Sequence, residues 1–322
     1  MSGETKKRAS KRSTKKSSSK AQATSKKEGA KGAAKKSRGA ILITGATGFL
    51  GKHLVQTLRD PEGADPRRAI RALVRTPTLH LERHAVEVAR GDVRVADDCR
   101  AAMRGVDEVY HLAGRVSRKE EDAGALYDLH VEGTRQVLLA AAEAKVRRVV
   151  VASTSGTIAV HHEPVVANED APYATDVVRR WPYYLSKIYQ EQTALRLGEE
   201  LGLEVVVVNP SLLLGPGDDR GSSTADVEKV VRGKLPIIPR GGGVAFVDAR
   251  DAALGCVLAM NKGVAGERYL LNGENVTLQS FMGRVARLAG VATPRAVVEP
   301  STLKWAGRLA GAIYRRFDVE PP

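Results

Sequence analysis

The stretch Ile41-Leu42-Ile43-Thr44-Gly45-Ala46-Thr47-Gly48-Phe49-Leu50-Gly51 decides the fold. Its first residues form a short apolar run suited to a buried strand, and the residues from Gly48 to Arg59 carry helical spacing. Between the two, glycine recurs at every third position, at 45, 48 and 51. A glycine pattern alone says little. Here it closes a strand and opens a helix, which predicts a tight turn with the helix lying close against the strand.

Working outward, strand-like runs recur at 69–74, 86–89, 108–112, 148–152 and 204–209, with helix-like stretches at 97–104, 123–144 and 182–201. Alternation of this kind predicts an α/β fold, a doubly wound parallel sheet with helices on both faces. Near-continuous runs such as Val205-Val206-Val207-Val208 fit strands covered on both sides. After Pro210 the alternation loosens and Gly and Pro become frequent, which predicts a smaller C-terminal lobe. The expected division is a tail over 1–38, a sheet domain over 39–211 to which 244–263 returns, and a lobe from 212–243 and 264–322.

The 322 residues carry 51 Lys+Arg and 37 Asp+Glu, a net charge of +14. Residues 1–38 hold 14 of the basic residues against Glu4 and Glu28 alone, so the rest is nearly neutral, 37 against 35. That balance gives no reason to class the folded body as a nucleic-acid-binding domain. The first 38 residues are Lys, Ser, Ala, Gly and Thr with scarcely any larger apolar side chain, so they read as disordered. They suit a solvated tail, a weak nonspecific tether to nucleic acid, or attraction to an anionic membrane surface. Cys99 and Cys256 are the only cysteines. Two cysteines exclude a disulfide framework and a multi-cysteine zinc site, so no metal is expected and a reducing, cytoplasmic setting is. No apolar run reaches the ~18–20 residues needed to span a bilayer, and no apolar segment of a secretory signal follows the basic N-terminus.

In its strand–turn–helix setting the glycine loop suits a dinucleotide: the second glycine admits a pyrophosphate to the backbone N–H groups, and the helix N-terminus favours the anion. The second strand ends Ala72-Leu73-Val74-Arg75-Thr76 without a carboxylate, so Arg75 points to NADP over NAD, the rival being an ordinary exposed arginine. Among eight tyrosines only Tyr183 has a lysine four residues on, Lys187, which puts phenol and ammonium on one helix face. The pair follows the hydroxyl cluster Ser153-Thr154-Ser155 at the end of a predicted parallel strand, the edge where cofactor sites lie.

With these residues in hand, the chain resembles the extended short-chain dehydrogenase/reductases of the NAD-dependent epimerase/dehydratase superfamily. It is most similar to the dihydroflavonol-reductase-like, 3β-hydroxysteroid-dehydrogenase-like and hopanoid-associated sugar epimerase branch. The resemblance rests on TGATGFLG (44–51), GDV (91–93), HLAG (111–114), VEGT (131–134), STSGT (153–157), YYLSK (183–187), NPSLLLGPGD (209–218), FVDARDAA (246–253) and GERYLLNGEN (266–275), in family order. It implies a Rossmann domain and catalysis by Thr154, Tyr183 and Lys187. Tyr183 would be general acid in reduction and base in oxidation, with Lys187 lowering its pKa and holding the nicotinamide ribose. A phenol of pKa ~10 would have to fall by roughly 3 units to serve near neutrality, and the ammonium with an oxidised nicotinamide is the expected source. It also implies cofactor contacts from Gly45, Thr47, Gly48, Phe49, Leu50, Arg75, Asp92, Val93, Leu112, Ala113, Gly114, Tyr183, Lys187, Pro210 and Ser211, and a homodimer through 123–144 and 182–201.

Two departures from the family pattern stand out. His130 occupies a position where relatives usually carry Asn, and relatives usually continue well past the point matching Pro322. Either the lobe is incomplete or the chain end is artificial. The expected activity is hydride transfer between NADP(H), or NAD(H), and a carbonyl or secondary alcohol of a small, largely apolar molecule. A nucleotide-sugar epimerase or dehydratase is the first alternative, with Arg232 or Arg240 holding the diphosphate. A non-catalytic dinucleotide-binding or scaffold protein is the second.

Overall fold

The computed structural model describes residues 39–61, 66–235, 237–293 and 296–299. The tail expected over 1–38 and the end of the expected lobe, 300–322, lie outside the described residues. The strands are β1 (Ala40–Thr44), β2 (Ile70–Val74), β3 (Glu87–Arg90), β4 (Val106–His111), β5 (Arg148–Ala152), β6 (Glu204–Pro210), β7 (Leu212–Leu214), β8 (Ile237–Pro239), β9 (Gly243–Asp248), β10 (Arg268–Leu271), β11 (Glu274–Thr277) and β12 (Ala296–Val298). The α-helices are α1 (Phe49–Arg59), α2 (Leu79–Arg83), α3 (Ala96–Ala102), α4 (Ala123–Tyr127), α5 (Gly133–Glu143), α6 (Thr175–Val178), α7 (Pro182–Leu201), α8 (Ala225–Val231), α9 (Ala249–Lys262) and α10 (Leu278–Leu288).

Seven strands form one sheet in the order β10-β6-β5-β4-β1-β2-β3, every neighbouring pair parallel. The period of two along each strand explains its two cores. Ile41, Ile43, Val150, Val206 and Val208 face α1 and α9 with Leu54, Cys256 and Met260. Leu42, Val149, Val151 and Val205 face the other way, among Val137, Leu138, Ala194 and Leu197 of α5 and α7. Both faces are therefore covered, as the unbroken valine run predicts. The strand order reverses between β1 and β4, and the carboxyl ends of these strands open the crevice where ligands of such sheets bind.

The remaining strands make a three-stranded sheet, β11-β9-β7, and the pair β12-β8. Val230, Ile238, Phe281, Met282 and Ala286 form a separate small core there. Two placements depart from the expected division. Arg268–Leu271, grouped with the lobe on sequence, is the edge strand of the main sheet, because Leu271 lies opposite Pro210 in register. Gly243–Asp248, expected to return to the sheet domain, pairs instead with β7 and β11, while α9 packs on α1, β5 and β6.

Residues 123–144 do not form one uniform helix. A π-turn over Asp128–Glu132 separates α4 from α5 and carries His130. Such bulges turn side chains inward and recur at functional sites.

Candidate functional site

The glycine loop runs from the end of β1 into α1. Gly45 has φ +74°, and a Cβ there would lie 2.6 Å from the carbonyl of Leu112 and 2.7 Å from Ala113 N, so the turn abuts the end of β4. A Cβ on Gly51 would lie 2.2 Å from the Gly45 oxygen, and its absence lets the first turn of α1 rest on the loop. No side chain caps α1 and no acidic residue occupies its first turn. The N–H groups of Phe49, Leu50 and Gly51 are thus presented at the positive end of an 11-residue helix. These residues fit a dinucleotide pyrophosphate: the cradle is one that side chains would fill.

At the other end of the crevice, Arg75 is exposed immediately after β2, and its charge acts on Asp92. Arg94 grips the Asp92 carboxylate, Nε to Oδ1 at 3.0 Å and Nη2 to Oδ2 at 2.7 Å. That hydrogen bonding is the chief reason the Asp92 carboxyl is held below its ordinary pKa. An adenine contact from Asp92 would therefore share the carboxylate with Arg94, which the sequence reading did not single out. Val93 is buried beneath Gly133, so its side chain belongs to the core. Ser211 turns its N–H and its hydroxyl to the Leu271 carbonyl, at 3.0 and 3.3 Å, at the β6–β10 edge.

The three residues expected to be catalytic come together. Tyr183 and Lys187 occupy the first turns of α7, which Pro182 opens at N1, and the Tyr183 phenol lies near enough to the Thr154 hydroxyl, just beyond β5, for that hydroxyl to act on its pKa. Of the flanking serines, Ser153 is engaged elsewhere, donating to the buried carboxylate of Glu191. Lys187 is 5% exposed; its ammonium donates to the Ala152 carbonyl at 2.8 Å and to Gln190 Oε1 at 2.7 Å. Burial pulls its pKa down to about 8, with Glu191 acting the other way.

The pKa of Tyr183 departs from expectation. Burial, and then the neighbouring Tyr184, push the phenol up, and only the Thr154 hydroxyl opposes them. The physical reason is desolvation of the phenolate, while two of the Lys187 N–H groups are directed to other acceptors.

His130 is fully buried and ties two segments together. Its Nε2 accepts from Arg115 N at 3.1 Å, so Nδ1 carries the proton and faces Ser186 Oγ at 2.8 Å. Burial pulls its pKa down to about 2, Lys187 adding to the effect, so the ring is neutral. A Cβ on Gly114 would come within 3.2 Å of His130 Nε2 and 3.6 Å of Lys187 Nζ, so this histidine, the glycine and the lysine share one wall of the crevice.

Sequence reasoning missed Gln190, Thr134 and His111 as individual polar contributors. All three are fully buried. The available signal was spacing: Gln190 lies three residues after Lys187 on the same helix face.

The model of the NAD dependent epimerase/dehydratase family matches residues 41–271. Sterol demethylase protein B of Methylococcus capsulatus is 34% identical over 278 residues, covering 86% of this chain and 82% of that protein. Cinnamoyl-CoA reductase 1 of Oryza sativa is 33% identical over 255 residues, covering 72% of this chain and 71% of that protein. Among solved structures, gox2253 superposes with a TM-score of 0.76 at 31% identity, covering 88% of this chain and 84% of that one.

Proposed function

The chain belongs to the NAD dependent epimerase/dehydratase family, as an oxidoreductase of the extended short-chain dehydrogenase type, and from that premise we propose that it is an NADP-preferring reductase using Thr154, Tyr183 and Lys187. The observation that carries this reading is the convergence of the Thr154 hydroxyl, the Tyr183 phenol and the buried Lys187 ammonium, which donates to the carbonyl of Ala152 two residues before Thr154. The two hydroxyls are suited to donate to one substrate carbonyl oxygen, Thr154 orienting it and Tyr183 delivering the proton as alkoxide develops. A phenol pushed up by burial stays protonated, which is the state a general acid needs. When bound, the nicotinamide supplies or accepts the hydride. Lys187 has one N–H left beyond Ala152 and Gln190, and the ribose side of the crevice near Gly114 is its expected target. Arg75 supports NADP by supplying a cation for a 2′-phosphate after a strand without a carboxylate.

In the nucleotide-sugar alternative, Arg232 and Arg240 would hold the diphosphate; both are exposed and pair only with surface carboxylates, Glu228 at 3.1 Å and Glu299 at 2.6 Å, which a diphosphate could replace. Purified protein incubated with NADPH and a panel of apolar ketones and nucleotide sugars separates the readings. Ketone-dependent loss of nicotinamide absorbance is expected, and turnover of sugars alone would overturn the reductase.

No helix among the described residues is long and apolar enough to cross a membrane. Cytoplasmic residence, a homodimer through α4, α5 and α7, and weak nucleic-acid contact through 1–38 belong to this same proposal. Exposed Tyr127 and Tyr189, with ring centroids 6.3 Å apart, support the dimer face, and sedimentation measures it. Retention on DNA at low salt, before and after removal of 1–38, measures the tail.

A further inference from the structure

A chain of buried side chains runs from the glycine loop to Lys187, and the direction of every hydrogen bond in it is fixed. Lysine only donates, so the Gln190 atom 2.7 Å from Lys187 Nζ is the amide oxygen, and the amide nitrogen faces Thr134 Oγ1 at 2.8 Å. Thr134 has one hydroxyl hydrogen, and it goes to the His130 carbonyl at 2.5 Å. Its oxygen therefore accepts, both from Gln190 and from His111 Nε2 at 2.8 Å. With its proton on Nε2, neutral His111 presents a bare Nδ1 to the Thr44 hydroxyl at 2.8 Å, and Thr44 Oγ1 in turn accepts from Ala113 N at 3.2 Å. Thr44, His111, Thr134 and Gln190 have no exposed surface. In so dry a setting no water can replace a lost partner, so turning one dipole would leave its neighbours unsatisfied.

The two ends of the chain give it a purpose. One is the Lys187 ammonium; the other is Thr44, next to Gly45, whose turn abuts Leu112 and Ala113. We propose that Gln190, held by Thr134 and through it by His111, is the positioning residue for the Lys187 ammonium and keeps it in register with the dinucleotide cradle. This rests on the reading of Lys187 as a cofactor-holding residue. The Gln190 oxygen is a neutral acceptor for the charged form of Lys187. Glu191 on the same helix favours that charge, while His111 of β4 and His130 of the π-turn, the other titratable rings beside it, are kept neutral by burial and by the ammonium itself. Replacing the amide by a thioether removes an acceptor for the ammonium; replacing it by a carboxylate adds a negative charge beside it. The two changes should move the ammonium in opposite directions along the pH scale, which a merely structural role would not do.

The test is titration of NADPH by its fluorescence across a pH series with Lys187→Met, Gln190→Met, Gln190→Glu, Thr134→Val and Thr134→Ser, each checked for cooperative unfolding. Lys187→Met should weaken binding throughout. Gln190→Met should bind about tenfold more weakly near pH ~8.5 yet within about twofold of the parent near pH ~6.5, the mark of a one-unit shift. Gln190→Glu should hold its affinity to higher pH than the parent. Thr134→Val should follow Gln190→Met, and Thr134→Ser, which keeps the hydroxyl, should follow the parent. If Lys187→Met loses affinity while both Gln190 variants keep the parent's pH dependence, the positioning role is overturned and the Lys187 reading stands. If Lys187→Met binds NADPH as the parent does, the Lys187 reading fails and takes this inference with it. Should Gln190→Met not fold, the Thr134 pair decides alone.

Discussion

Gly156 lies directly against the ring of Tyr184: a Cβ at position 156 would fall 2.0 Å from Cε1 and 2.3 Å from Cδ1. The ring must move if that carbon is added. Tyr184 is stacked edge-on with Tyr183 at 5.2 Å, so the Tyr183 phenol, proposed above as the acid, would move with it. Gly156→Ala is expected to lower turnover at least about tenfold and stability by about 1–3 kcal/mol, the usual penalty of overpacking. With Tyr184→Ala added, the overlap is gone, so the double variant should lose less stability than the two single losses summed, without recovering full activity. Urea melts and initial rates measure both, and an unaltered Gly156→Ala protein would contradict the contact.

Removing one oxygen from Tyr183 should separate binding from chemistry. Tyr183→Phe keeps the ring against His130, whose centroid is 5.9 Å away, and loses the proton donor beside Thr154. Turnover is expected to fall about 10²–10⁴-fold, the range for a positioned acid or base. NADPH affinity should fall by no more than about fivefold, the loss of one hydrogen bond worth about 1 kcal/mol. Retained turnover in this variant would remove Tyr183 from the mechanism.

Arg75 supplies a test of cofactor preference. Arg75→Ala deletes an exposed cation whose partner would be a phosphate, so NADPH affinity should fall about tenfold or more, consistent with one charge-assisted hydrogen bond. NADH affinity should stay unchanged, since its ribose carries no phosphate there. Equal losses for both nucleotides would show that Arg75 contributes only a general field.

Acid should destabilise the fold before its carboxylates titrate. Burial pulls His111 down to about 3 and His130 to about 2, against an ordinary value of 6.5. Below the unfolded value the unfolded chain takes up protons that the native state refuses, so stability is intact above it and falls as pH drops through this window. Each ring contributes a slope of up to about 1.4 kcal/mol per pH unit. Glu191, whose carboxyl burial pushes up, opposes them with a single group. Denaturant melts at pH ~7 and pH ~5 should show a clear net loss on acidification. A flat profile would mean that one of the two rings is charged in the fold.

Much of the sheet was legible because its signals are local. The alternation of apolar run and helical stretch marks β1 to β6, and the Tyr183–Lys187 spacing needs only one turn of helix. The edge strand Arg268–Leu271 was not legible, since its place depends on a partner, Pro210, far away in sequence. The same holds for the relay through Thr44, His111, Thr134 and Gln190. Thr44, His111 and Thr134 stood inside recognised motifs, yet nothing in a linear reading says that a threonine hydroxyl will accept from both a histidine and a glutamine. The direction of the Tyr183 pKa was missed for a related reason: desolvation comes from the whole packed surroundings, whereas the ammonium was visible as one residue.

The parallel pairing of Leu212–Leu214 with Phe246–Asp248 has a use beyond recognition. The chain leaves the end of β7 and re-enters alongside it at β9, and the segment between them is shared with the C-terminal part of the lobe: β8 pairs with β12, and Val230 and Ile238 pack on Phe281, Met282 and Ala286 of α10. A graft meant to retarget the enzyme must therefore carry α8, β8, α10 and β12 together, since moving the loop segment alone would strand half of a core.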